Sequence, residues 1–262
     1  MQLDGFHTVR GLLVCSLGLV SPVFSPVFAD APPPDPLDSP QWGVMHERFL
    51  NQGKVVFDGK VEVQAPASAE DSLNVPVSFK AGALGQVDEV VVIADLNPLP
   101  MVLKFRPKGV SPNLSFRMKL QQRTPVRVAA RTPDGVWHVS AVVVDAAGGG
   151  CTLPSVGVSK GSWVQTLGHV TANVWERPDG NNRLRVRVMH PMDTGLASGV
   201  PKFHIEQLDI KEATSQQVMA ELELFEPVSE NPMLSLDVGK HTEFALGGRD
   251  NNGNQIHAVI KP

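Results

Sequence analysis

Pro133-Asp134-Gly135-Val136-Trp137-His138-Val139-Ser140-Ala141-Val142-Val143-Val144-Asp145-Ala146-Ala147-Gly148-Gly149-Gly150-Cys151 holds a turn, a strand and a tether in one run. Proline presets φ and glycine accepts the left-handed conformation, so Pro133-Asp134-Gly135 is turn chemistry. The β-branched stretch Val136–Val144 then reads as the last strand of a domain. It stops at two alanines and three glycines. Glycine lacks a Cβ and has the most freedom to lose, so Gly148, Gly149 and Gly150 predict a mobile, poorly packed arm. From Asp145 to Cys151 is six residues, so the extended arm can carry the thiol ~20 Å from its strand. Structural cysteines sit in packed surroundings; a thiol on a tether is expected to be accessible.

Working upstream, the same signals repeat. Val55, Phe57, Val61 and Val63 alternate with polar residues around Asp58-Gly59, a hairpin signal. Strands are expected at Asn74–Lys80, Val87–Asp95, Met101–Phe105, Leu114–Leu120 and Val126–Arg131, separated by Asn97-Pro98 and Pro107-Lys108-Gly109. Before them, Ser39-Pro40 reads as a cap and first helical residue, and Trp42, Met45 and Phe49 recur at helical spacing, predicting one short helix over 40–50. Downstream, 152–162 reads as a linker with Pro154, Gly157 and Gly161. A second series follows at His169–Glu176, Arg183–Met189, Phe203–Lys211, Gln217–Phe225, Met233–Asp237, His241–Ala245 and Gln255–Ile260. Strands this short, broken so often by proline and glycine, leave no room for crossover helices. The fold class is all-β: two immunoglobulin-like β-sandwich domains in tandem, 54–151 and 163–262, preceded by a spacer and short helix over 30–53.

The amino terminus reads as an address. Arg10 precedes the apolar run Gly11–Val20, Pro22 and Pro26 end it, and Val27-Phe28-Ala29 presents small residues two positions apart, so 1–29 is expected to be an export signal cleaved after Ala29. The run is half the ~20 residues a membrane span needs. The expected location is the periplasm. Cleavage would remove Cys15 and leave Cys151 as the one cysteine, and an odd thiol in an exported protein points to intermolecular pairing or a reactive group. The full chain carries a formal net charge of −4, a balance that favours neither nucleic acid nor an anionic membrane as partner.

Few residues otherwise suggest chemistry. No histidine lies within a dozen residues of Cys151, whose nearest formal charges are Asp145 and Lys160. Left near its ordinary pKa, only a few per cent of the thiol ionises at pH 7. A thiol without an activating base on an arm is a group acted upon, delivered to partners that supply the activation. No histidines fall at metal-ligand spacing. His190-Pro191-Met192 has the softness for copper, with Cys151 as a third ligand. Asp250-Asn251-Asn252-Gly253 lacks the later ligands of a calcium loop and reads as a hairpin turn. Gly148–Gly150 is no phosphate loop, because no Lys-Ser/Thr follows it. No catalytic group, cofactor site or enzyme signature stands out.

Several runs resemble a known family. Asn74-Val75-Pro76-Val77, Val90-Val91-Val92-Ile93-Ala94-Asp95-Leu96-Asn97-Pro98, Arg131-Thr132-Pro133-Asp134-Gly135 and the Gly-Gly-Gly-Cys at 148–151 are similar to SoxY, the sulfur-carrying subunit of a periplasmic thiosulfate-oxidising system. Arg187-Val188-Met189-His190-Pro191-Met192-Asp193-Thr194-Gly195 resembles a motif of its partner SoxZ, with Asp193 where glutamate is usual, and Ser229-Glu230-Asn231-Pro232-Met233-Leu234 falls at a similar turn. The fused order resembles the SoxYZ-like carriers associated with quinoprotein dehydrogenases. The resemblance implies sulfur intermediates, as persulfide or S-thiosulfonate, bound covalently to Cys151. Gly148, Gly149 and Gly150 are its flexible arm, and the histidine motif is structural. Implied partners are sulfur-oxidising enzymes or cytochromes of the periplasm, with a dimer through Cys151 as a further association. The chain departs from SoxY where Thr152-Leu153-Pro154 replaces trailing glycines, so Cys151 lies on a loop tethered at both ends. The rival reading is a non-catalytic interaction module for a quinoprotein dehydrogenase or its cytochrome.

Overall fold

A computed structural model describes residues 1, 2, 5, 32–50, 53–156 and 163–261. The expected export segment therefore lies almost wholly outside the described residues, as does 157–162 of the linker. Residues 31–262 make one compact unit. Its chain begins with helix α1 (Trp42–Met45), which widens into a π-helical turn over His46–Leu50. The first strand series is β1 (Val55–Val56), β2 (Glu62–Gln64), β3 (Ser68–Ala69), β4 (Val75–Lys80), β5 (Glu89–Ala94), β6 (Met101–Pro107), β7 (Asn113–Met118), β8 (Thr124–Arg131) and β9 (Trp137–Ala146). The second is β10 (Val170–Glu176), β11 (Asn182–Val188), β12 (Ile205–Glu212), β13 (Val218–Leu224), β14 (Met233–Asp237), β15 (Phe244–Asp250) and β16 (Gln255–Ile260).

Both series form immunoglobulin-like sandwiches, and they share their sheets. One sheet runs β1-β9-β8-β5-β6-β13-β12-β15-β16, with β3 pairing β9; the other runs β10-β11-β14-β7-β4-β2. The series meet at β6–β13, where Leu103 pairs Leu224 and Pro107 pairs Ala220, and at β7–β14, where Leu114 pairs Leu236. Unpaired strand edges expose backbone donors and acceptors, and joining both layers edge to edge satisfies them. One apolar core consequently runs through both halves, from Val77, Phe79 and Phe105 to Leu208, Ile210 and Phe244.

The run Val90–Ala94 has no alternation because its sheet is covered on both faces. Val90, Val92 and Ala94 enter the main core, while Val91 and Ile93 join a second cluster with Trp42, Met45, Leu50, Ala129 and Trp137 beneath the helix. The helix starts later than expected: Gln41 is its cap residue, without a side-chain cap bond, and Ser39 only accepts from the Gln41 N–H at 3.4 Å. The proline-rich spacer is also tied down. Buried Arg127 of β8 forks onto Asp35 (2.8 and 2.7 Å) and Asp95 (2.7–3.0 Å), with its guanidinium 4.5 Å from the Trp42 ring centroid.

The hairpin expected at Asp58-Gly59 does not form: β1 pairs β9 in one sheet and β2 pairs β4 in the other, so the chain crosses between layers there. Strand β15 also differs from expectation, running to Asp250 through Gly247 and Gly248 instead of ending at Ala245. A Cβ on Gly248 would lie 2.4 Å from the Gln207 carbonyl oxygen, so glycine there is required by the close approach of β12. The following turn is a hairpin as expected, with Asp250 accepting from the Asn252 and Asn254 N–H groups at 2.9 Å each. Among the described residues no helix is long and apolar enough to cross a membrane.

Candidate functional site

Cys151 sits where the two strand series meet. Strand β9 ends at Ala146, and the chain turns back over the end of β7 and its extension Lys119–Gln121. Gly150 N–H donates to the Leu120 carbonyl (3.2 Å), Cys151 N–H to Gln121 Oε1 (3.1 Å), and the thiol to the Lys119 carbonyl (3.9 Å). From the second series, Thr194 Oγ1 donates to the Cys151 carbonyl (2.5 Å). Asp193 accepts from Ser155 N–H (2.8 Å) and Oγ (3.1 Å), and Glu230 accepts from Val156 N–H (2.8 Å). The three second-series motifs singled out in the sequence converge here: Asn231 N–H donates to the His190 carbonyl (2.8 Å), and His190 lies 3.4 Å from Asp250.

This corrects the expectation of a mobile, poorly packed arm. Cys151 is fully buried, at 0 % exposure. Gly148 and Gly149 use their conformational freedom to hold positive φ, at 110° and 83°. Gly150 serves close approach: a Cβ there would stand 2.2 Å from the Ser72 carbonyl oxygen and 2.4 Å from that of Leu120. The glycines fit the segment into a seat. Replacing them with alanine therefore tests docking, whereas on an unpacked arm it would test mobility alone.

The seat is held by residues with no obvious mark in the sequence. Lys119 is 3 % exposed, and its ammonium donates to the Met192 carbonyl and to that of Glu226 (3.2 Å). Asn97 donates to the Lys119 carbonyl (2.9 Å) and accepts from Gln121 N–H (2.9 Å), so the Asn97-Pro98 turn also pins the platform under the cysteine. Gln121 faces Cys151 through the same platform. Of these only Asn97 carried a signal, as turn chemistry and as part of the SoxY-like run.

Burial dominates the electrostatics. It pushes the Cys151 thiol up to about 11, with the Lys119 charge offsetting part of the rise. It pulls Lys119 down to about 8 against the charges of Asp193, Cys151, Glu230 and Glu226. At neutral pH the docked cysteine is a neutral thiol and a poor nucleophile. Because its pKa is raised from 9.0, the thiol's contribution to stability is intact below pH 9 and is lost as pH climbs toward 11. The melting-temperature difference between wild type and Cys151→Ser should thus be level below pH 9 and shift against wild type from pH 9 to 11. A difference independent of pH across that window would contradict the burial.

The copper reading finds its ligands already engaged. His190 Nδ1 accepts from Met192 N–H (3.0 Å), burial pulls its pKa down to about 4, and Met192 Sδ accepts from Ile205 N–H (3.3 Å). Among the described residues, no group of three or more His, Cys, Asp or Glu is placed to hold a metal ion. His190 instead packs on Phe203, ring centroids 4.4 Å apart, as a core residue.

Comparison with known proteins meets this site at its end. Residues 46–151 match the family of sulfur oxidation protein SoxY. The match spans about two fifths of the chain and stops on the buried cysteine, leaving the second strand series outside it. Among solved structures, the sulfur carrier protein SoxY from Chlorobium limicola f thiosulfatophilum is similar at 19 % identity and a TM-score of 0.35, over 40 % of this chain and 92 % of that one. A search of curated proteins returns no match.

Proposed function

We propose that the chain is a periplasmic, non-catalytic carrier in sulfur oxidation that binds sulfur intermediates covalently on Cys151 and presents them to partner enzymes or cytochromes. The observation that carries this is the SoxY-family match ending on the one cysteine outside the expected export segment, at the junction of the two series. The second series acts as the SoxZ-like half, supplying Asp193 and Thr194 to the seat. Attaching thiosulfate to the thiol forms an S–S bond and releases one proton and two electrons, so a loading partner must accept electrons, as a cytochrome does. The same S-thiosulfonate forms from tetrathionate without an added oxidant: the thiolate attacks a central sulfur and thiosulfate leaves. Either adduct adds an S–S bond of ~2 Å to a fully buried sulfur, so loading follows lifting of the segment, and the loaded thiol stays out of its seat. A disulfide-joined dimer needs the same lifting.

Incubation with tetrathionate followed by intact-mass measurement tests the reading. A reductant-labile adduct on Cys151, absent in Cys151→Ser, is expected. No adduct, even after mild opening of the fold, would overturn the carrier. The full burial of Cys151 is the one observation favouring the second reading, an interaction module for a quinoprotein dehydrogenase or its cytochrome. Co-purification with such a partner that survives Cys151→Ser, together with an unloadable thiol, would select it.

A further inference from the structure

We infer that the outer face of the sheet β10-β11-β14-β7-β4-β2 docks a protein partner through an acidic surface, at the end of the sheet that carries Cys151. Alternation sends Leu184, Val186 and Val188 of β11 into the core and Arg183, Arg185 and Arg187 outward. On β7 the outward residues are Asn113, Ser115 and Arg117. Registers set Arg187 beside Met233 of β14, and Arg185 beside Ser235, which pairs Ser115 and through it Ser78. Serines therefore floor a shallow groove that Arg117, Arg185 and Met233 border.

Charge on this face is divided by position. Toward the far end the cations are answered: Arg177 and Arg183 pair with Asp237 at 2.7 and 2.8 Å, and Lys80 pairs with Glu62 at 3.7 Å. Toward the Cys151 end they are not. Arg117, Arg185 and Arg187 are exposed, and among the described residues none makes an ion pair. Arg185 donates to Ser235 Oγ (3.3 Å) and lies over the half-open ring of Trp175, 5.1 Å from its guanidinium. Three unanswered guanidiniums on a chain of net charge −4 are a local field of opposite sign to the whole. Arginine, methionine and tryptophan are residue types enriched at interface centres.

Spacing argues for a protein surface over a small oxyanion. Strands β11 and β7 stand on either side of β14, so Arg187 and Arg117 leave the sheet ~10 Å apart. They line an open face and enclose no cavity. The location gives the face its use. β7 continues into Lys119 and Leu120, whose carbonyls receive the Cys151 thiol and the Gly150 N–H, and β11 continues into the His190–Thr194 turn. A partner seated on Arg117 and Arg187 lies beside the cysteine segment. That a docked partner acts on Cys151 rests on the carrier reading; the docking itself does not.

The test is a titration of the isotope-labelled protein with an extended peptide of alternating glutamate and serine at low salt, read by amide chemical shifts. Saturable shifts at Arg117, Arg185, Arg187 and Met233 are expected, weakening as salt rises. Replacing the three arginines by glutamine should lower affinity about tenfold or more with an unchanged melting temperature. The proposal is overturned by absence of saturable binding, by shifts lying elsewhere, or by undiminished affinity in the triple variant. It is equally overturned if inorganic sulfate gives the same shifts and displaces the peptide, which would make the face a small-anion site. Failure of tetrathionate loading, measured separately, would remove the carrier reading while leaving the docking result standing.

Discussion

Cys151 is expected to alkylate at pH 7 at least about 100-fold more slowly than an unperturbed thiol. Two features set the magnitude. In its seat the sulfur is fully buried, and its pKa is raised from 9.0 to about 11, which leaves about 100-fold less thiolate. Reaction must then go through an open state in which the bonds of Gly150, Cys151, Thr194 and Ser155 are broken. At about 1 kcal/mol each, less the entropy regained on release, they hold the open population to about 1 %. Two variants should raise the rate by different routes. Thr194→Val removes the donor to the Cys151 carbonyl from the second series. Gly150→Ala drives a Cβ into the Ser72 and Leu120 carbonyls and forces the segment out. Circular dichroism and melting temperature establish that either variant keeps its fold. A wild-type thiol reacting as fast as free cysteine would show that the segment is not docked in solution.

Arg127→Met is expected to destabilise the fold by about 3–5 kcal/mol, because it leaves the carboxylates of Asp35 and Asp95 facing each other in the interior without their cation. Both side chains are nearly solvent-free, at 5 % and 0 % exposure. Burial by itself raises the Asp35 pKa, but hydrogen bonds from Arg127 and from the Ser39 and Leu37 backbone outweigh it and hold the carboxyl below its ordinary 3.8. A depressed carboxyl contributes stability above its unfolded pKa and loses it as pH falls through the folded value. The variant lacks that contribution, and its orphaned Asp35 carboxyl, buried without a cation, takes up a proton more readily than an ordinary one, so the deficit against wild type should be greatest at neutral pH and shrink steadily as pH falls. Urea midpoints across pH 3–7 read this directly. Adding Asp35→Asn and Asp95→Asn should recover most of the loss, since neutral amides do not carry the buried charge. A deficit under 1 kcal/mol, or one that stays constant with pH, would show that the triad does not anchor residues 32–41.

Elements that depend on neighbours in the chain were legible in the sequence. The strands β4, β5, β11 and β14 and the turns at Asn97-Pro98, Pro133-Asp134-Gly135 and Asp250–Gly253 announce themselves through alternation, β-branching and turn residues acting over a few positions. β15 did not, because Gly247-Gly248 looks like a break until β12 is seen pressing on Gly248. The spacer at 32–37 did not either: Asp35 looks like one polar residue among prolines, and its partner Arg127 is in another strand.

The cysteine shows the division most sharply. Its place after three glycines and its position between two strand series follow from sequence alone. Whether those glycines free it or seat it does not. Glycine's missing Cβ permits both outcomes, and the choice falls to what stands opposite: the Ser72 and Leu120 carbonyls at Gly150, and Thr194 and Asp193 from the second half. Local pattern is enough to establish an all-β chain of two strand series with one thiol between them. That the series share both sheets, and that the thiol is buried against Lys119 and Thr194, comes from tertiary contacts. Edge-to-edge pairing and the packing of a glycine against distant carbonyls are contacts between residues far apart in the chain, which local pattern does not encode.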